Sequence, residues 1–361
     1  MNAATPGAPA VTYPWADYPA PGEVREVADG ILWLSTAVPF VGLRQVNLWL
    51  VRDGDGWTMI DCGFGWDQTR GELETIWKTA LGGKPVKRLI VTHYHPDHAG
   101  NMAWISERWG GLLPHMSLAE WFAANVSMSA GYADNIRQRS VWHASHGLDL
   151  ERQKLFEKEV MPYHEGVALP PAFKRLSEDD LVTIGRDRWR VIMGQGHSPQ
   201  HVSLYCAERR ILIAGDQILP QITTNVSTWP MEPEADTLAS FLETCQKFLG
   251  ILHPDTLVLP SHRKPFRNVQ FRLRELGHHH AARLNLLLDN ARGEISAGDM
   301  LDVLFKGRLD GHQIGFAMGE AIAHLNYLVQ IGRLRRVQPS YGSWRYARVD
   351  GDIQPVTSPL I

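Results

Sequence analysis

Short apolar runs separated by turn residues open the folded part of the chain. Ile31-Leu-Trp-Leu34, Val46-Asn-Leu-Trp-Leu-Val51 and Trp57-Thr-Met-Ile60 fall within residues 24–60, and Asp53-Gly54 and Asp55-Gly56 separate the last two. Runs of this length broken by Asp-Gly pairs predict antiparallel strands. The apolar period becomes helical over 66–80, Gly82-Gly83-Lys84-Pro85 ends it, and 87–92 reads as a strand that leads straight into a group of histidines. Residues 117–174 carry few strand patterns but long helical stretches and the aromatics Trp121, Phe122, Trp142 and Tyr163, so they read as a helical insertion. Strand patterns resume at 181–184, 189–193, 202–206 and 211–214, followed by a helix over 237–249 and a short strand at 257–260. The second half thus repeats the order of the first, strands and then a helix.

Beyond Phe266 the pattern changes again. Helices are predicted over 276–291, 296–305 and 312–331, and strands over 334–337 and 344–349 around the turn Pro339-Ser-Tyr-Gly342. Ser296 and Asp299 have the spacing of a capping box. Three helices and a hairpin predict a small winged-helix-like domain. The expected divisions are an Ala- and Pro-rich extended arm over 1–22, a main domain over 23–266, the winged-helix-like domain over 267–350 and a tail over 351–361. Winged helices often place their third helix in a DNA groove, yet residues 312–331 contain no Lys or Arg. The apolar series Ile314, Met318, Ala321, Leu325 and Leu328 indicates packing instead, leaving Arg333, Arg335 and Arg336 as a modest basic patch. That disfavours a nucleic-acid partner.

Composition narrows the classes further. Lys plus Arg is 36 and Asp plus Glu is 39, a net charge of −3, so nothing calls for a polyanionic partner. Cys62, Cys206 and Cys245 are odd in number and lack CxxC spacing, which predicts a reduced compartment without a disulfide framework. The first twenty residues have neither a basic start nor an apolar h-region, and no run is long enough to span a bilayer. A cytoplasmic protein with no membrane partner is expected, and a homo-oligomer is compatible with the sequence.

The candidate chemistry lies in His93-Tyr-His-Pro-Asp-His98, which packs four ligand-type side chains into six residues. Imidazole and carboxylate are what a divalent ion such as zinc accepts, and the alternative of a helix cap accounts for Asp97 alone. On a strand-to-helix loop His93 and His95 can converge on one ion, while Asp97 and His98, past Pro96, face a second. Further ligands are expected from loops at the same sheet edge: His197 in Gly194-Gln-Gly-His-Ser-Pro199, Asp216 in Ala214-Gly-Asp216 and His262 in Leu259-Pro-Ser-His262. Two neighbouring ions lower the pKa of a shared water and polarise the oxygen under attack, so no Ser or Cys nucleophile is needed. Ser198 is expected to be a loop hydrogen-bonder. Arg263 and Lys264 add positive charge after the last histidine and are candidates to hold an anionic substrate group, against the competing reading of a solvated basic turn.

His-x-His-x-Asp-His, then Gly-His-Ser-Pro, then Gly-Asp, then Ser-His, preceded by Ile60-Asp61-Cys-Gly63, resemble the ordered motifs of the metallo-β-lactamase superfamily over residues 24–266. The resemblance implies an α+β fold, a four-layer αββα sandwich, with the metal site at one edge. It implies two divalent ions, zinc first with iron or manganese as alternatives. His93, His95 and His197 would hold one ion, Asp97, His98 and His262 the other, and Asp216 would bridge. Asp97, His98 and Asp216 would then be catalytic, and Asp61 would order the ligand loop without ligating. With the winged-helix-like tail, the chain is similar to relatives of glyoxalase II and of lactamase-like endoribonucleases. The leading expectation is hydrolysis of a small ester-like molecule, a thioester or lactone. The alternatives are a metal-dependent endoribonuclease or phosphodiesterase and a non-enzymatic binding or regulatory protein.

Overall fold

The computed structural model describes residues 10–40, 42–129, 135–337, 342–349 and 354–360. Successive residues of a strand project to opposite faces, and β2 shows the result. Ile31 and Trp33 join one apolar cluster and Leu32 and Leu34 another. Strands β1 (Arg25–Ala28), β2 (Ile31–Phe40), β3 (Leu43–Asp53), β4 (Gly56–Ile60), β5 (Val86–Ile90), β6 (Pro114–Ser117) and β7 (Lys174–Leu176) form one sheet in that spatial order. It is antiparallel from β1 to β4 and parallel from β4 to β7. Helices α1 (Asp67–Thr79), α2 (Pro96–Ala99) and α3 (Met102–Arg108) follow β4 and β5, and Leu73, Ile76, Trp77 and Ile105 cover the outer face. The insertion is helical, comprising α4 (Leu118–Met128), α5 (Asn135–Ser145), α6 (Leu150–Glu159) and α7 (Tyr163–Gly166).

The second sheet has the order β12 (Leu257–Pro260), β11 (Ile211–Gly215), β10 (His201–Cys206), β9 (Asp187–Gly194) and β8 (Leu181–Ile184), with β11 and β12 parallel. Trp33 and Trp49 of the first sheet meet Trp189, Val191 and Leu204 of the second. Helix α8 (Thr237–Ile251) covers the far side through Phe241, Cys245 and Phe248. The layers are helix, sheet, sheet, helix, the α+β sandwich anticipated above.

The C-terminal segment contains α9 (Val269–Asn290), a 3-10 turn Gly298–Met300 that runs into α10 (Leu301–Leu304), α11 (Gly311–Gln330), and a hairpin of β13 (Leu334–Val337) and β14 (Arg345–Arg348). Where one helix was expected over 296–305, the capping pair is present but the first turn is 3-10: Ser296 N donates to Asp299 (2.8 Å) and Asp299 N to Ser296 Oγ (3.1 Å). Helix α9 starts earlier than expected because Arg272, charged but buried, donates to the carbonyls of Leu219 and Ile222. Helix α11 is buried over most of its length, so it is a core helix and has no face free for a groove. One apolar cluster joins Phe156 of α6, Phe241 of α8, Leu284 of α9 and Leu325 of α11, so packing continues across the expected boundary at 266.

Of the arm, residues 1–9 lie outside the described residues, as do 339–341 of the predicted turn. The rest of the arm is tied down: Thr12 pairs with Arg267, and Trp15 and Tyr18 pack against the cluster between the sheets. Among the described residues no helix is long and apolar enough to cross a membrane.

Candidate metal centre

The C-terminal ends of β4, β5, β9, β11 and β12 meet at one edge of the sandwich, and each delivers a polar residue there. Asp61 follows β4, His93 to His98 follow β5, His197 follows β9, Asp216 follows β11 and His262 follows β12. Two bonds draw the sheets together at this edge: Val202 N donates to Thr92 O (2.8 Å), and Asn47 of β3 donates through Nδ2 to the carbonyl of Pro260 (2.8 Å). The His-rich turn packs tightly on its neighbours. A Cβ on Gly100 would stand 2.3 Å from Gly65 N and 2.6 Å from the carbonyls of Gly63 and Gly166, so this position admits only glycine.

All seven expected ligands converge. His93 Nε2 lies 2.9 Å from His95 Nδ1 and 3.2 Å from His197 Nε2. Asp216 Oδ2 lies 3.6 Å from His98 Nε2, 3.6 Å from His197 Nε2 and 3.3 Å from His262 Nε2, and Asp97 Oδ2 lies 3.2 Å from His262 Nε2. Among the described residues three groups have donor atoms close enough to share a cation: His93, His95 and His197; His93, His98 and Asp216; Asp97, His98 and His262.

The protonation states match a site built for positive charge. Burial keeps His93 and His197 below the usual imidazole range and takes His95 to about 3, leaving neutral rings with lone pairs to give. At His98 and His262 burial acts the same way but is outweighed by carboxylates: Asp97, Asp216 and Asp61 raise His98 well above its ordinary value, and Asp216 and Asp97 take His262 to about 10. Without a cation, protons on these rings balance the acids. Although carboxylates stand 3.2–3.6 Å from the two rings, His98 Nε2, His262 Nε2 and Asp216 Oδ1 are buried without a well-formed hydrogen bond among the described residues. Buried polar atoms are rarely left so. The donor set and its orphaned atoms fit a divalent metal.

Surrounding groups fix the ligands. Asp61, in the left-handed region at φ 60°, accepts from Thr92 N (2.7 Å), Thr92 Oγ1 (2.9 Å) and His98 Nδ1 (2.8 Å). His262 Nδ1 donates to Gln45 O (3.0 Å) and His197 Nδ1 to Asn225 O (2.8 Å), which commits each Nε2 to the centre. Glu120 of the insertion has no sequence signal, yet it is buried and accepts from Ser198 Oγ (2.6 Å), Gln200 N (2.7 Å) and Tyr94 N (3.0 Å), with burial raising its pKa to about 7. His201 likewise carries no motif of its own beyond standing four residues after His197. Its Nε2 accepts from Asp216 N (3.1 Å) and its ring packs beside His93.

Arg263 and Lys264 do not join this cluster. Arg263 sits half-buried beside Tyr18, and the Lys264 ammonium donates to Ala16 O (2.7 Å) over the Tyr13 ring, so both face the N-terminal arm. The histidines in and beside the insertion take other places: His115 is on β6, His143 is buried in α5, His146 is buried in the turn after it, and His164 is exposed on α7. His280 of α9 is buried against His324 (3.1 Å), because it continues the stripe of Leu273, Leu276, Leu284 and Leu287. The three cysteines are free and buried, and burial pushes each thiol up, away from nucleophilic use.

The chain is similar to known proteins. Residues 41–262 match the metallo-beta-lactamase superfamily, and residues 284–349 match a metallo-beta-lactamase-like C-terminal domain. A beta-lactamase domain protein from Burkholderia ambifaria is 40% identical in sequence, with a TM-score of 0.86 over 94% of this chain and 98% of its own. A metallo-beta-lactamase family protein from Thermus thermophilus is 26% identical, with a TM-score of 0.75 over 90% of this chain and 100% of its own. A probable metallo-hydrolase of Bacillus subtilis is 26% identical over 196 residues, 54% of this chain, and an uncharacterized protein of Aquifex aeolicus is 25% identical over 175 residues, 48% of this chain. Each alignment spans 66% of the relative, just under two thirds.

Proposed function

As a member of the metallo-beta-lactamase superfamily, to which the chain belongs, this protein is a hydrolase, and we propose that it uses two divalent ions, zinc in the first instance, to hydrolyse a small thioester or lactone. His93, His95 and His197 would hold one ion and Asp97, His98 and His262 the other, with Asp216 shared, since its Oδ2 is within 3.6 Å of ligands from both groups. That convergence of overlapping donor groups carries the reading. When bound, such a pair supplies an acidified water at neutral pH and a Lewis acid for the carbonyl oxygen. The chain's own residues do the positioning. Asp61 turns His98 Nε2 inward, Asn225 does so for His197 and Gln45 for His262.

The substrate class rests on a groove of about 150 Å³ lined by Pro39, Phe40, Glu159, Met161, Asp310 and His312. Asp97 acts on His312 only as a minor electrostatic influence, and none of the seven ligands lines this groove. Its apolar side chains suit the acyl part of an ester, whereas a phosphodiester chain would meet the carboxylates of Glu159 and Asp310. The test is a panel of acyl thioesters, lactones, β-lactams, phosphodiesters and RNA with zinc-loaded protein. Turnover of a thioester or lactone, lost in Asp216→Ala, is expected. Cleavage of RNA with no ester turned over would overturn the substrate class, and a chain that neither binds metal nor turns anything over would overturn the whole reading.

A further inference from the structure

His197 is aimed by a loop that the C-terminal domain holds in place. The carbonyl of Asn225 can only accept, so His197 Nδ1 carries the proton and Nε2 keeps its lone pair for the donor cluster. On its own side of the molecule the loop is anchored by Thr224 Oγ1, which donates to Asp216 O (2.8 Å). Arg272 of α9 holds Ile222 O (2.9 Å) and Thr228 Oγ1 lies 3.1 Å from Thr237 Oγ1, and further anchors come from α11. Thr228 N donates to Gly319 O (3.1 Å), Ser227 Oγ lies 3.4 Å from Phe316 O and 2.6 Å from Asn225 Oδ1, and Asn225 Nδ2 donates to Glu320 Oε2 (3.5 Å). Glu320 is buried and pairs with Arg283 of α9 at 2.9 Å. The loop can approach this closely only because residue 319 lacks a side chain: a Cβ there would stand 2.7 Å from Ser227 Cβ.

We propose that α11 is part of the metal centre's support, with Gly319 and Glu320 as positioning residues that hold the Asn225 loop and thereby fix the tautomer and direction of His197. The inference rests on reading His93, His95 and His197 as a cation site. It gives the C-terminal domain a role in metal binding although none of its residues ligates. The competing view, that Glu320 and Arg283 merely form a buried ion pair between helices, predicts effects on folding alone.

The experiment measures zinc affinity of the full chain by competition with a chromophoric chelator, and records the ligand-field spectrum of the cobalt(II)-substituted protein. Asn225→Ala and Glu320→Ala should each lower zinc affinity roughly tenfold, the low end for groups that orient a ligand, and should shift the cobalt bands. Glu320→Gln, which can still accept from Asn225, should restore most of the affinity. The double variant should lose no more than the weaker single one, because both changes cut the same link. Gly319→Ala ordinarily favours a helix, yet here it should weaken zinc binding by pressing on Ser227. If Glu320→Ala fails to fold, Asn225→Ala, on a half-buried loop, and Gly319→Ala decide the matter. Folded Asn225→Ala and Gly319→Ala proteins with unchanged zinc affinity and cobalt spectrum would overturn the proposal. A wild-type chain that binds neither zinc nor cobalt would instead sink the cation site itself, and the brace with it.

Discussion

Replacing Asp61 by Asn tests how the centre is ordered, because it removes one charge and almost no volume. Asn tolerates the left-handed backbone at this position as readily as Asp, so backbone strain is not altered. The carboxylate accepts from Thr92 N, Thr92 Oγ1 and His98 Nδ1 and lies 3.4 Å from Ser261 Oγ. If the Asn oxygen faces Thr92 N, its NH2 group faces His98 Nδ1–H. If it is flipped, NH2 meets the Thr92 amide. Either way a buried donor loses its acceptor, a cost of about 1–3 kcal/mol. His98 escapes the conflict by moving its proton to Nε2, which blocks the nitrogen that faces Asp97 and Asp216. Zinc affinity at the group of Asp97, His98 and His262 should therefore fall roughly 10- to 100-fold, or about 1.4–2.7 kcal/mol. Titration against a chromophoric chelator should show one equivalent weakened much more than the other, since Asp61 reaches His93, His95 and His197 only indirectly, through Thr92 Oγ1 beside His93 Nδ1 (3.0 Å). Thr92→Val, which leaves the bond between Asp61 and His98 intact, should cost less. Two wild-type equivalents in Asp61→Asn would refute the reasoning.

Three further outcomes can be checked directly. Stripping the metal should lower the melting temperature, because zinc at about 1,000 times its dissociation constant contributes about 4 kcal/mol, and a scan unchanged by chelator would show that no such site exists. Gly100→Ala should destabilise the chain by at least about 1–3 kcal/mol in urea unfolding, given a contact of 2.3 Å to Gly65 N, and a neutral result would contradict the tight stacking of the loops. Burial takes His324 to about 3, below its unfolded value, so its contribution is present above the ordinary imidazole pKa and is lost as pH falls toward 3. Between about pH 7.5 and about pH 5.5 that group alone removes about 1.4 kcal/mol, and His324→Gln should show a shallower loss in metal-free protein; an equal loss would discount the buried pair with His280.

The ligands were legible because metal chemistry constrains residue type at short spacing. Four of the seven sit within His93 to His98, and each of the others ends or follows a strand run. The layers followed from the resemblance carried by the ordered motifs, and the structure supplies their physical basis, since β2 and β3 alternate residues between two apolar clusters. What stayed hidden depends on distant partners. Glu120 reads as one acid on a helix, and only the folded chain places it against Tyr94, Ser198 and Gln200. Lys264 reads as a free cation beside a ligand until the arm is seen beneath it. The packed character of α11 was legible in its apolar series from Ile314 to Leu328, whereas its partners, Phe156 of α6 among them, were not.

The two sheets meet at the centre through Asn47 and Val202, and this has a kinetic consequence. Ligands on the first sheet reach the ribosome exit well before His197, Asp216 and His262 have been synthesised, so the early histidines spend that interval with an incomplete coordination shell. Contacts this remote in sequence close late in folding. High-affinity occupancy is thus a signature of completed docking between the halves, and metal uptake followed in time would serve as a clock for the last step of assembly.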